Sequence, residues 1–488
     1  MNQSLSISTI DLVVIAIYLL FMLGVGVWFV RRIKNTQDFY VADRSLGSFV
    51  LTATVCATII GGSAMMGRAG VAYTTGFKAV MTAIPYLLGM FVFSGISGRI
   101  QQIGVTYSIN SIPDLFDRRF GKTAKVILAA MVAFTMMGTV ASQVTATATI
   151  IKLVGGQVGI TYEMGAMIAT VIFIIYTAAS GLFGVVYTDV VQFFMLLIFV
   201  YILIPIRSLV CLDGFGNFWA NLDKSYITPY INGDILGDIV TYLVFTLAGA
   251  EMWQRAFAAK SKKAAKKGMF LGTSIYAVTI LLVFFMGLAG QQLLPNVVEN
   301  YGSSDAVVPA LAISILPAGI TGLALSGILS VMMSTADSYL LVSVQTCVHD
   351  LGKTFRPNMS EKSEILWSRI LSAVLALGAL VIALYIKNAY NVLMFAWSFY
   401  AAAAGLPALA ALYWKKATKA GVVSAMVGGF VVCVGWKLAG TPFGLGATVP
   451  GAIVCGILLV VVSLATYKQH PSVMLTVGDD APPAAESA

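Results

Sequence analysis

Charge is what this chain has least of. Only 10% of its 488 residues are Asp, Glu, Lys or Arg, against about 25% in soluble domains. Such a chain cannot present a polar surface to water. Its two histidines, His349 and His470, form no HExxH, and its five cysteines (Cys56, Cys211, Cys347, Cys433 and Cys455) form no CxxC pair. Both facts argue against a metalloenzyme or a disulfide frame; scattered in apolar runs, the cysteines read as small packers. No GxxxxGK[ST] loop is present, which argues against an ATP-driven pump. No nucleophile, base and orienter can be read together, so an enzyme is not expected.

What is there instead is apolar length: 59% of the residues are hydrophobic. About thirteen stretches approach the roughly 20 apolar residues that cross a bilayer as a helix. They lie near 9–30, 46–70, 76–98, 124–153, 163–179, 184–206, 236–257, 268–292, 317–346, 366–386, 390–413, 419–438 and 447–467. The first lacks a basic leader and ends in Arg31-Arg32, so it reads as a stop-transfer span rather than a cleaved signal.

Placing the N-terminus outside puts 23 of the 30 basic residues in cytoplasmic loops. The positive-inside rule therefore predicts an outside N-terminus and an inside C-terminus, in a bacterial-type cytoplasmic membrane. The net charge of +9 is thus a topology signal, not a nucleic-acid surface, and KSKKAAKK (260–267) is a solvated loop beside anionic lipid. The tail from 468 to 488 is rich in Pro and Ala and reads as disordered. Nothing points to an obligate protein partner.

The stretch 321–346 carries hydroxyls and a carboxylate where lipid-compatible side chains are expected. On a helix, Val331, Ser334, Thr335 and Ser338 share one face, with Asp337 beside them. Polar groups at that depth mark function, and hard oxygen donors suit a small hard cation. In the second span, Gly61-Gly62 falls mid-membrane and weakens helical order. Broken backbone there must be buried or line a cavity, freeing carbonyls such as those of Ala57 and Ile60. The competing reading is a glycine pair for close helix packing. A second interruption, Gly249, precedes Glu251 in TLAGAEMWQR. Two broken helices in corresponding positions point to an inverted-repeat transporter with its site at the midplane.

Other charges keep two readings each. Asp189 is either a site carboxylate or an interfacial helix-start charge. Glu251 is either a gating residue or the i+4 partner of Arg255. Arg68 either attracts an anionic solute or, the reading favoured here, snorkels outward.

Four stretches then carry a resemblance: ATIIGGSAMMGRAG (57–70), SGLFGVVYTDVVQ (180–192), WQRAFAAKSKKAAKKG (253–268) and MSTADSYLLV (333–342). With the span number and orientation, the chain resembles the sodium/solute symporter family, which includes bacterial proline, galactose and sialic acid transporters. The resemblance covers roughly residues 8–467 and implies an all-α membrane protein. Its LeuT-type core of two inverted five-helix repeats (46–414) would follow an N-terminal helix and loop (1–45) and precede two accessory helices (415–467).

The resemblance further implies sodium-coupled import of a small solute by alternating access. The sodium ligands would be the carbonyls of Ala57, Ile60 and Val331 and the hydroxyls of Ser334 and Thr335. Some members hold a second cation, which here would use Asp189, Ser334, Ser338 and Asp337, the last standing where those members carry a hydroxyl. Gly61, Gly62, Ser63 and Glu251 would face the solute or its gate. Proline transporters carry an aspartate where this chain has Ile59. Galactose transporters follow the break with Glu-Gln where Ser63-Ala64 stands here, and a gate tyrosine is replaced by Glu251. An organic acid or amino acid is therefore expected before proline or a sugar. The alternatives are proton coupling through Asp337, Asp189 or Glu251, and a transporter-like membrane sensor, for which no signalling domain is visible.

Overall fold

A computed structural model describes residues 7–30, 35–156, 159–229 and 231–477. Around an apolar core, large apolar side chains also cover the outside while charged ones are buried, unlike a water-soluble domain: Ile17, Leu20 and Leu281 are more than 60% exposed while Asp189, Arg255 and Asp337 are fully buried. An apolar outer surface is what a bilayer imposes as solvent.

The helices are α1 (Thr9–Val30), α2 (Thr36–Val41), α3 (Ser48–Ile59), α4 (Arg68–Thr75), α5 (Lys78–Thr106), α6 (Ile112–Phe120), α7 (Lys122–Gly155) and α8 (Tyr162–Met195). Next come α9 (Leu203–Cys211), α10 (Phe215–Ala220), α11 (Gly233–Ala248), α12 (Ala250–Ala258), α13 (Lys262–Leu293), α14 (Val297–Tyr301) and α15 (Val307–Ile315). The last are α16 (Ile320–Gln345), α17 (Lys353–Phe355), α18 (Glu361–Tyr385), α19 (Ala389–Tyr413), α20 (Lys419–Leu438) and α21 (Thr448–Thr466). No strand forms among the described residues; the single β-bridge joins Leu46 to Ala259. Starts follow local chemistry: Ser111, Thr161, Asn232, Ser261, Ser360, Asn388 and Thr418 each cap a helix by accepting a backbone N–H.

Among the described residues ten helical spans are long and apolar enough to cross a membrane, and Ser48–Ile59 with Ser63–Thr75 forms a bent pair at 57°. The stretches expected at 9–30 and 163–179 overlap the shorter apolar segments Thr9–Met22 and Tyr162–Ile175. The apolar segment Ser304–Ile315 was not anticipated from hydropathy. No loop separates the expected spans 163–179 and 184–206. Gly181, at φ 52°, makes the bend within α8, a conformation that favours glycine. Arg31-Arg32 and most of the C-terminal tail lie outside the described residues.

Helix α16 sits at the centre, packed by α1, α3, α7, α8 and α18, and every residue from Ala324 to Gln345 is buried. That burial explains how it carries hydroxyls and a carboxylate: none of them meets lipid. α11 packs against both α5 and α19, α13 covers α3 and α4, and the α20–α21 hairpin leans on α19. Two arginines counted above as topology charges also hold the fold together. Arg44 donates to the Phe257 and Ile109 carbonyls, and Arg119 donates to those of Ala410, Ala411 and Trp414 at the end of α19.

Candidate functional site

The break in the second span falls where the glycines stand. α3 stops at Ile59, and Ile60 leaves the helical region (φ −90°, ψ 58°). Gly61 and Gly62 follow, then a wide turn over Ser63–Gly67 leads into α4. Gln143 of α7 closes the gap from the far side, its Oε1 accepting the Gly62 N–H at 2.7 Å.

α16 brings its hydroxyls to this break. Ser334 Oγ lies 2.9 Å from the Ala57 carbonyl and 3.0 Å from that of Val331. Thr335 Oγ1 lies 3.3 Å from the carbonyls of both Ala57 and Thr58. Each hydroxyl has one proton to share between two carbonyls. The arrangement is therefore rich in lone pairs and short of positive charge, which is the chemistry a sodium ion completes. Four of the five sodium ligands expected from the resemblance thus converge here: Ala57, Val331, Ser334 and Thr335. Thr58, not anticipated, adds a carbonyl. Ile60 stands at the break with its backbone turned out of the helix, and no hydrogen bond ties it to the α16 hydroxyls.

The four residues expected to hold a second cation are arranged differently. A guanidinium lies between Asp189 and Ser338: Arg255 Nη2 is 3.5 Å from Asp189 Oδ2 and 2.6 Å from Ser338 Oγ. Thr54 Oγ1 donates to the same Asp189 oxygen at 2.5 Å, and Arg255 Nε donates back to Thr54. Asp337 makes no hydrogen bond to this group and instead accepts from Thr177 of α8 at 2.6 Å. Residues 334 and 338 stack on one helical face, whereas 337 is rotated off it. The expected quartet is therefore split, with a fixed cation already among its donors. Nor is Asp189 an exposed helix-start charge; it is fully buried within α8.

At the second interruption α11 ends at Ala248 and α12 begins at Ala250, with Gly249 between them (φ −52°, ψ 101°). Tyr400 O–H donates to the Ala248 carbonyl at 2.7 Å and Trp253 Nε1 to that of Leu247 at 3.1 Å. Glu251 does not pair with the Arg255 head group. Its carboxylate accepts from Tyr339 O–H at 3.3 Å, and Arg255 bonds to the Glu251 backbone carbonyl instead.

Beside the first break is a small cavity lined by Thr58, Gly61, Ser63, Arg68, Gln143 and Thr335, with Tyr86, Tyr242, Tyr276, Tyr339 and Trp397 around them. In this conformation its free volume is about 20 Å³, room for about one water, so a solute enters only as side chains part. Gly61 and Ser63 line it as expected; Gly62 is turned toward Gln143, and Glu251 reaches it only through Tyr339. Arg68 does not snorkel: it is 3% exposed and stacks over Tyr242, 4.6 Å from the ring centre. The aromatic wall and Gln143 had no signal in the sequence, because they converge from six separate helices.

A second polar group, Asp114, His349 and Asp350, brings ligand-type atoms within 4.8 Å of one another. Lys125 already sits 3.0 Å from Asp114, and His349 also contacts Glu364. Burial alone would raise the Asp114 carboxyl, but hydrogen bonds and charge from His349 and Lys125 outweigh it and hold the group below the usual range. The cluster reads as a clamp tying α6 and α7 to the end of α16 and to α18.

An all-helical membrane protein with a broken span facing a polar buried helix has the architecture of a secondary transporter. The chain belongs to the sodium:solute symporter family, whose model matches residues 39–429. It is 28% identical to the sodium/proline symporter of Escherichia coli (strain K12), over 94% of both chains, and 26% identical to that of Staphylococcus aureus, over 93% of both. Its fold matches a Na+-coupled sialic acid symporter in a substrate-bound outward-open state (TM-score 0.80, 17% identity, 96% of this chain and 100% of that one). It also resembles a nucleobase-cation-symport-1 family transporter in a closed conformation (TM-score 0.61, 14% identity, 89% and 95% covered).

Proposed function

We propose that this protein is a sodium-coupled symporter that imports a small organic solute by alternating access, with thirteen spans around a core of two inverted five-helix repeats at 46–414. The observation that carries this reading is the meeting of the Ser334 and Thr335 hydroxyls with the Ala57 carbonyl. A sodium ion there would use the carbonyls of Ala57, Ile60 and Val331 and both hydroxyls. When it binds, the hydroxyl protons turn away from the carbonyls and the lone pairs turn to the ion. The ion then pins the end of α3 to α16, and because the same break lines the solute cavity, ion occupancy and solute affinity are coupled. Sodium moving down the membrane potential contributes about 2.3 kcal/mol per charge per 100 mV to uptake.

Residues 1–45 and 415–467 would be accessory to transport, with the N-terminus outside and the C-terminus inside. The relatives named for proline share the family, but Ile59 beside the break and the aromatic wall favour an organic acid or amino acid of another kind. Uptake of a panel of labelled solutes into proteoliposomes tests the coupling. Accumulation is expected with an inward sodium gradient and not with potassium in its place; equal uptake in both salts sinks the reading.

A further inference from the structure

Arg68 is a buried cation whose donors are only partly met. Its guanidinium lines the cavity beside the helix break, yet its Nε and Nη1 have no hydrogen-bond partner. It makes no ion pair among those found in the described residues; Asp238, on the neighbouring α11, is held instead by Tyr390 O–H at 2.9 Å and approached by Lys78 at 3.9 Å. Leaving donors of a buried charge unpaired is costly, and more so than for neutral groups. The ring of Tyr242 offers partial compensation through its face. It leaves the in-plane N–H donors free.

The rest of the lining narrows what would satisfy those donors. Of the residues around the cavity, Arg68 alone carries a charge; Glu251 stays behind Tyr339. Hydroxyls are supplied by Thr58, Ser63, Thr139 and Thr335, and apolar area by Ile59, Leu393 and Trp397. Planar in-plane donors of arginine match a carboxylate two oxygens at a time. A zwitterion would bring an ammonium that meets no carboxylate among the lining residues.

Resting on the symport reading above, we propose that Arg68 is the specificity-determining residue of the solute site, and that the solute is a small monocarboxylate anion rather than an amino acid or a sugar. Sodium at the Ala57–Ser334–Thr335 site and the carboxylate on Arg68 would then flank the same break. The hydroxyl-bearing and apolar walls hold the short body of the acid.

The test uses purified full-length protein and the probes acetate, propionate, pyruvate, lactate and benzoate, with their amides and with alanine, proline and glucose as controls. Sodium-driven uptake of at least one monocarboxylate is expected, without uptake of its amide. Arg68→Gln and Arg68→Lys should each raise KM for that acid on the order of 100-fold, from the loss of a charged hydrogen-bond pair. Both variants should keep the sodium-induced rise in Tm of the wild type, which shows that fold and ion site are intact. Preferential uptake of alanine, proline or glucose, or an Arg68→Gln variant with unchanged KM, overturns the proposal. A sodium-induced rise in Tm with no uptake of any acid also overturns it while leaving the symport reading standing. A wild type with no sodium response overturns both.

Discussion

Both interrupted helices break beside glycine, one at a 57° bend and the other within a continuous span, and their freed carbonyls are finished differently. At Gly61-Gly62 the carbonyls freed by the break face the Ser334 and Thr335 hydroxyls, which share single protons among several acceptors. At Gly249 the freed carbonyls of Ala248 and Leu247 each have a dedicated donor, Tyr400 O–H and Trp253 Nε1. A break whose backbone is already satisfied is a fixed joint. The break served by too few protons is the one proposed to take an ion. On that reading it is how the carbonyls are satisfied, not the break alone, that sets the two apart.

Removing the hydroxyls should separate the two breaks most sharply. The Ser334→Ala plus Thr335→Ala double variant is expected to lose sodium affinity on the order of 100-fold or more, about 3 kcal/mol at 1.4 kcal/mol per decade. The sodium concentration giving half-maximal uptake reads this out, with expression and folding retained. Next in size is Gly61→Val. A Cβ at Gly61 falls 2.9 Å from the Thr335 side chain, so the variant should weaken sodium dependence roughly tenfold by pushing Thr335 off the Ala57 carbonyl. An unchanged sodium response would mean that the break and α16 do not act together.

At the second break the expected effects are on stability, not on sodium. Tyr400→Phe leaves the Ala248 carbonyl without its donor and should cost about 1–3 kcal/mol, seen as a lower Tm. Its sodium midpoint should not move. Smallest of all is Gly249→Ala, because the added Cβ meets the end of the Glu251 side chain at 2.8 Å rather than backbone. A change under about 1 kcal/mol is expected, within the range of mild backbone substitutions. A sodium midpoint shifted by either variant would erase the distinction between the two breaks.

Much of this was legible in the sequence because it is local. Hydroxyls at 334, 335 and 338 in an apolar run, and paired glycines in another, reveal themselves through helical spacing and backbone chemistry. What stayed hidden depends on rotation and on distant partners. Asp337 is one residue from the stripe, yet that rotation sends it to Thr177. Arg255 lies 66 residues from Asp189 and 83 from Ser338 and still joins them. Hydropathy also cannot tell an arginine that snorkels from one that turns inward, and Arg68 turns inward because tyrosines from neighbouring helices give it a wall to stack on.

The central claim, that sodium binds where α16 meets the first break, can be read without knowing the solute. Thermal unfolding of the purified protein should show a saturable rise in Tm with sodium at constant ionic strength, as binding to the folded state requires. Potassium should give no such rise, and Ser334→Ala plus Thr335→Ala should abolish it. Identical Tm values in sodium and potassium, or a sodium response that survives the double substitution, would contradict the account.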